Sequence, residues 1–181
     1  MQNLWRELRT GPNAPEIVYA IIEIPKGSRN KYEYNKEHGV IKLDRVLYSS
    51  ISYPGDYGLM PQTFWDDGDP FDILVMVSEP TYPGCIIEAR PIGVFRMEDK
   101  GKSDDKILAV PLRDPRYDSY TDLDDVPPHY LVEIEHFFSV YKALEEGGRV
   151  HTRGWENAAA AKEAIRYSMQ LYRDRFALGG L

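Results

Sequence analysis

The stretch Trp65-Asp66-Asp67-Gly68-Asp69-Pro70-Phe71-Asp72 places four aspartates within seven residues, at the entry to the apolar run Ile73–Val77. Like charges at this spacing repel, and the start of a buried strand is a costly place to desolvate them. A bound cation compensates both effects, and carboxylate oxygens suit hard ions such as Mg2+. An isolated acidic turn is more often simply solvated. Here glycine and Pro70 stiffen the turn and deliver the acids where a strand end opens onto a cleft. A calcium EF-hand does not fit: with Asp67 as position 1, position 6 is Asp72 instead of glycine and position 12 is Ser78 instead of glutamate.

A second acidic loop runs from Met97 to Lys106 and carries Glu98, Asp99, Asp104 and Asp105 between two strand candidates. Alone it reads as a solvated hairpin tip. Its Gly101-Lys102-Ser103 mimics the end of a P-loop, but the leading glycine would have to stand where Arg96 is, so that motif is rejected. Glu23 shares a strand face with Ile17, Tyr19 and Ile21; its plainest reading is a side chain turned to solvent as the strand leaves the core. Lys31, Arg45, Tyr57, Tyr141 and Lys142 are each ordinary alone, as surface cations or half-buried phenols. Together they offer what a phosphate needs: a bidentate guanidinium, point charges and neutral donors. Carboxylates for a metal plus a cationic clamp are the parts for phosphoryl transfer to water.

The elements that must position these groups are β-rich in the first two-thirds of the chain and helical in the last third. Strand candidates are Ile17–Ile24, Tyr32–Tyr34, Val40–Leu47, Phe71–Val77, Ile86–Pro91, Gly93–Met97 and Lys106–Val110. Pro25-Lys26-Gly27, Tyr53-Pro54-Gly55 and Tyr82-Pro83-Gly84 mark joins, and Tyr53–Gly58 reads as a tight aromatic turn. Many short strands with such turns predict a barrel or sandwich. One helix starts near Pro127-Pro128, carries Leu131, Ile134, Phe138, Tyr141 and Leu144 at helical spacing, and stops at Gly147-Gly148. A second is capped by Asn157 and runs to about Phe176, with Ile165, Met169, Tyr172 and Phe176 as its apolar stripe.

With 181 residues, 43% hydrophobic and 28% charged, the chain suits one folded domain spanning 1–181. Its net charge of -7 argues against wrapping nucleic acid or anionic lipid. The one cysteine, Cys85, allows no intramolecular disulfide and reads as a small buried apolar residue. The N-terminus has no apolar targeting segment, and no run is long enough to span a bilayer, so the expectation is a cytoplasmic protein without membrane partners.

The ordered set of motifs resembles the single-domain, magnesium-dependent soluble inorganic pyrophosphatases. It comprises Ile22-Glu23-Ile24-Pro25, Lys31-Tyr32-Glu33, Leu43-Asp44-Arg45, Tyr53-Pro54-x-x-Tyr57-Gly58, Asp67-Gly68-Asp69-Pro70-Phe71-Asp72, Asp99…Asp104-x-Lys106, His136-Phe137-Phe138…Tyr141-Lys142 and Gly154-Trp155-Glu156-Asn157. The resemblance covers roughly Ile17 to Ile165. It implies a mainly β fold with flanking helices (α+β), a five-stranded OB-like β-barrel with two principal C-terminal helices. It implies hydrolysis of inorganic pyrophosphate to two orthophosphates by several Mg2+ ions, with Mn2+ or Zn2+ as substitutes. On the same basis Asp67, Asp72 and Asp104 resemble ligands of a first metal, Asp72 also of a second, Asp99 with Asp104 of a substrate-borne one, and Glu23 of a further one. Asp69 resembles the general base; Lys31, Arg45, Tyr57, Lys106, Tyr141 and Lys142 the phosphate clamp; Glu33 an organiser behind them. Chains this short resemble the homohexameric members. Three other readings compete: a nucleotide phosphoanhydride hydrolase, a non-enzymatic OB-type binding module, and a metal-buffering protein.

Overall fold

A computed structural model of the chain describes residues 3–176; the outermost residues of the expected 1–181 domain lie outside these. In chain order the strands are β1 (Val18–Ile24), β2 (Asn30–Asn35), β3 (Val40–Val46), β4 (Asp56–Leu59), β5 (Asp72–Val75), β6 (Ile86–Asp99), β7 (Lys102–Ser103), β8 (Lys106–Pro111) and β9 (Val150–Asn157). The helices are α1 (Leu4–Glu7), α2 (Pro128–Val140) and α3 (Ala158–Phe176). No helix among the described residues is long and apolar enough to cross a membrane.

Five strands pair in a ring, β1–β4–β5–β8–β6 and back to β1, which closes the expected OB-like barrel. Closure depends on β6. It pairs with β8 on one edge, and on the other first with β1, from Val18↔Ala89 to Ile21↔Ile86, and then with β9, from Gly93↔Asn157 to Asp99↔Val150. A register shift between Pro91 and Gly93 marks the bend. What the sequence divides into two strands is therefore one strand of 14 residues carrying a bulge. The hairpin β2–β3 forms its own two-stranded sheet.

The apolar run of β5 is continuous, not alternating, because both of its faces are covered. Ile73, Val75, Ile107 and Ala109 belong to the core that α3 seals with Ala161, Ala164 and Ile165. Leu74, Met76, Leu108 and Val110 belong to the core that α2 seals with Ile134, Phe137 and Phe138. Phe138 is only 1% exposed, and burying a ring of that size contributes roughly 2–3 kcal/mol. Asn157 caps α3, accepting the Ala160 N–H at 3.1 Å, and the expected stripe of that helix ends against Trp5, where Tyr172 and Phe176 pack edge-on.

Several local expectations need correction. Tyr53–Gly58 is not only a turn: β4 begins at Asp56 and is buried throughout. β9 is not legible in the sequence because its residues are mostly polar and, among the described residues, it pairs only with the edge of β6. The first helix stops at Val140, well before Gly147-Gly148, because the chain tightens into short turns, Ala143 N–H to Val140 O at 2.9 Å and Glu145 N–H to Lys142 O at 2.9 Å. Leu144, beyond that helix, is 67% exposed and joins no core stripe. Cys85 is half-buried against the α3-side core.

Candidate active site

Strand register builds the floor of the site. Asp72 opens β5 and lies in register with Lys106, which opens the parallel strand β8. Tyr57 on the neighbouring β4 donates its Oη to Asp72 Oδ2 at 2.5 Å, and Lys106 Nζ donates to the same oxygen at 2.5 Å and also bonds Asp104. Burial works against the Lys106 ammonium, but Asp72 and Asp104 outweigh it and hold it well above the ordinary lysine value. Two carboxylates share that one positive charge, so Asp104 titrates above the usual range: burial and the charge of Asp72 outweigh the pull of Lys106. Burial raises the Tyr57 phenol too, with Asp72 adding to it. Beside Tyr57, a Cβ on Gly58 would lie 1.9 Å from the Ile21 carbonyl oxygen, so only glycine lets β4 approach β1 here.

Glu23 sits at the bulge between Ile22 and Ile24. The bulge turns its carboxylate inward, contrary to the solvent-facing reading. Glu23 is 8% exposed and accepts the Tyr34 N–H at 2.6 Å. Burial pushes its pKa to about 8, the Tyr34 bond offsetting part of this and Asp72 adding to it.

The aspartate turn is as stiff as its sequence suggests. Trp65 stacks on Phe71 with ring centroids 3.9 Å apart, the Trp65 backbone N–H donates to the Asp69 carbonyl at 2.8 Å, and Gly68 takes φ +100. Asp67 accepts the Asp69 N–H at 2.9 Å. Burial nevertheless lifts the Asp67 pKa to about 7, with Asp72 and Asp104 adding to the rise. On another wall, Lys142 Nζ donates to Asp99 Oδ2 at 2.5 Å, while Asp99 Oδ1 is buried without a partner among the described residues. Lys142 and the buried Tyr141 come from the turn after α2, not from the helix expected to carry them.

These walls enclose a cavity of 530 Å³ lined by seven carboxylates and six lysines, close to charge balance. It gathers Glu23, Lys31, Glu33, Tyr57, Asp67, Asp69, Asp72, Asp99, Asp104, Lys106, Tyr141 and Lys142. Arg45 is the expected residue that does not line it. Arg45 faces an adjoining 340 Å³ groove shared with Lys31, Glu33 and Lys142, where Glu145 holds its guanidinium at 2.8 and 2.9 Å. Three lysines escaped the sequence reading. Lys36 pairs with Asp69 across the cavity mouth, and Lys100 and Lys102 belong to the loop read as a solvated tip. The loop's mixed charge was the available signal for the last two; Lys36 gave none. Asp105 was also missed: its carboxylate turns away from the cavity to take the Met97 N–H at 3.0 Å and Arg96 at 2.8 Å, bracing the loop.

Among the described residues no three acids converge closely enough to enclose a cation unaided, because ammonium groups stand between them. A cavity of alternating acid and lysine can take a small polyanion together with positive ions, the anion on the lysines and the ions on the acids.

Comparison with known proteins agrees with that chemistry. The family model described as inorganic pyrophosphatase matches residues 20–173. The inorganic pyrophosphatase of Haloferax volcanii is 55% identical over 98% of this chain and 100% of its own length. Soluble inorganic pyrophosphatase 1 of Arabidopsis thaliana is 48% identical over 94% of this chain and 80% of its own. The crystal structure of the Thermus thermophilus inorganic pyrophosphatase superposes with a TM-score of 0.92 at 45% identity, covering 95% of this chain and 99% of that one. Sequence over nearly the full length and the closed barrel around one acid–lysine cavity agree: the chain belongs to the inorganic pyrophosphatase family.

Proposed function

We propose that this chain performs the reaction of its family, hydrolysis of inorganic pyrophosphate to two orthophosphates, with Mg2+ ions held by Asp67, Asp72, Asp99, Asp104 and Glu23 and with Asp69 as general base. The observation that supports this most is the convergence of those acids and of Lys31, Tyr57, Lys106, Tyr141 and Lys142 on one cavity. The donor set fits hard divalent cations. Glu23 and Asp67 are lifted to about 8 and about 7 by burial with like charges nearby, a strain that bound cations relieve, and the buried Asp99 Oδ1 is a free ligand oxygen. Mn2+ and Zn2+ are the candidate substitutes.

When bound, such ions lower the pKa of water and neutralise phosphate oxygens. The residues do the rest. Lys31, Lys106 and Lys142 supply point charges to the phosphate oxygens, and Tyr57 and Tyr141 supply neutral donors. Arg45 serves the outer phosphate from the adjoining groove, which shares Lys31 and Lys142 with the cavity as lining residues. Glu33 orients Lys31, with which it pairs. Asp69, exposed at the mouth and fixed by the stiff turn, accepts the proton of the attacking water. Residues 1–181 act as one domain in the cytoplasm, as a homohexamer. Light scattering should give six copies of the 20.8 kDa chain; a clean monomer removes that assembly.

The test is phosphate release by purified protein, with Mg2+, with chelator, and with ATP as alternative substrate. Fast Mg2+-dependent release from pyrophosphate is expected. Release from ATP alone would make the chain a nucleotide hydrolase, and none from either by folded protein would refute the reading.

A further inference from the structure

We propose that Lys36 is a positioning residue for Asp69, and that the N-terminal segment fixes Lys36 for that task. This rests on Asp69 being the general base. Asp69 stands on the turn with its side chain 60% exposed. Its backbone is held, but among the described residues its carboxylate has one side-chain partner, the Lys36 ammonium, 33 positions earlier in the chain. An exposed lysine–carboxylate pair is ordinarily worth little, because a long flexible side chain must be ordered to make it.

Lys36 is ordered before it reaches Asp69. It follows β2 directly, in a turn that the Asn35 side chain locks by accepting the N–H groups of Glu37 at 3.1 Å and His38 at 2.7 Å. Asn3 reaches across from the N-terminus and donates its Nδ2 to the Lys36 carbonyl at 2.6 Å. The Lys36 ammonium lies 5.9 Å from the centre of the Trp5 ring, within cation–π range. Trp5 is itself buried, and its indole N–H is bonded to the Thr63 carbonyl at 3.1 Å. The Thr63 hydroxyl in turn accepts the Phe71 N–H at the end of the aspartate turn. Asp69 and the residue that holds it are thus braced by the same buried threonine, one through Phe71 and the other through Trp5. That arrangement sets the carboxylate's direction into the cavity, a property on which proton abstraction depends steeply.

A double-mutant cycle on pyrophosphate hydrolysis tests this, with Lys36→Met, Lys36→Arg, Asp69→Asn and the pair Lys36→Met/Asp69→Asn. Lys36→Met should lower kcat on the order of tenfold with KM unchanged. Lys36→Arg should restore most of it, and Lys36→Met should add nothing on top of Asp69→Asn. Asn3→Ala, which keeps the ammonium but frees its anchor, should give a smaller loss of the same kind. A rise in KM at unchanged kcat, or a full second loss in the double variant, would make Lys36 a substrate-binding cation and overturn the role. An undiminished Lys36→Met beside a crippled Asp69→Asn sinks the positioning role alone. An undiminished Asp69→Asn removes the general base first and the role of Lys36 with it.

Discussion

The floor and the mouth of the cavity use the same chemistry, lysine against aspartate, in opposite settings. On the floor Lys106 is 3% exposed and its partners Asp72 and Asp104 are 21% and 12% exposed. At the mouth Lys36 is 37% and Asp69 60% exposed. Water stabilises each ion at the mouth, so pairs there can form, break and re-form at small cost. On the floor the ammonium is withdrawn from water and its partners largely so, and removing one partner strands the other. The floor therefore fixes geometry by burial, whereas the mouth depends on the contacts that order Lys36 and on the stiff turn that carries Asp69.

Removing the shared ammonium should expose that difference most strongly. Lys106→Met leaves Asp72 and Asp104 buried without it. The variant should lose about 3 kcal/mol in urea unfolding and about a hundredfold or more in turnover. A variant as stable as the parent would mean that the floor is no more demanding than the mouth.

The pH dependence of stability comes next. Burial pushes the Glu23 and Asp67 carboxyls up to about 8 and about 7 in the folded chain, against roughly 4 when unfolded. Between these values the folded form holds protons that the unfolded form has released, so stability falls as pH rises through that window. The carboxylates held low, Asp44, Asp114 and Asp125, act in the opposite sense and only at lower pH. With chelator, the urea midpoint should be lower at about pH 8 than at about pH 5, and Mg2+ should recover most of the difference. Equal midpoints with chelator would show that these acids are not strained.

Tyr57→Phe is gentler: it removes one donor to Asp72, worth about 1–2 kcal/mol of stability for a bond to a charged group, and should raise KM more than it lowers kcat. Smallest of all is Glu33→Gln at the mouth, where the pair with Lys31 leaves Glu33 55% exposed. Its unfolding free energy should change by less than about 0.5 kcal/mol, and a loss on the scale of the floor variant would erase the distinction between the two regions.

Much of the site was legible in the chain because its parts are local. Four aspartates around Gly68 and Pro70 announce a stiff acidic turn, and the structure adds the Trp65–Phe71 stack and the hydrogen bonds that clamp it. The Ile165, Met169, Tyr172 and Phe176 stripe announces a docked helix, since one helix face repeats at fixed spacing. Other parts resisted. β9 lacks the apolar alternation that marks a strand, and β4 hides within a turn-rich stretch. Glu23 looked solvated because a bulge, which no pattern of period two reveals, turns it inward.

The sequence by itself determined the residue types, the acidic turn, the strand and helix periodicities and the kind of ligand such groups can hold. Those follow from sterics and charge among near neighbours. Tertiary structure decided which charges meet. It set Lys106 against Asp72 by the parallel register of β5 and β8, Lys36 against Asp69 over 33 positions, and Arg45 against Glu145 over 100. It also decided which of those meetings take place out of water. Pairing at such separations is fixed by ring closure and burial, properties of the whole chain that no short stretch of it carries.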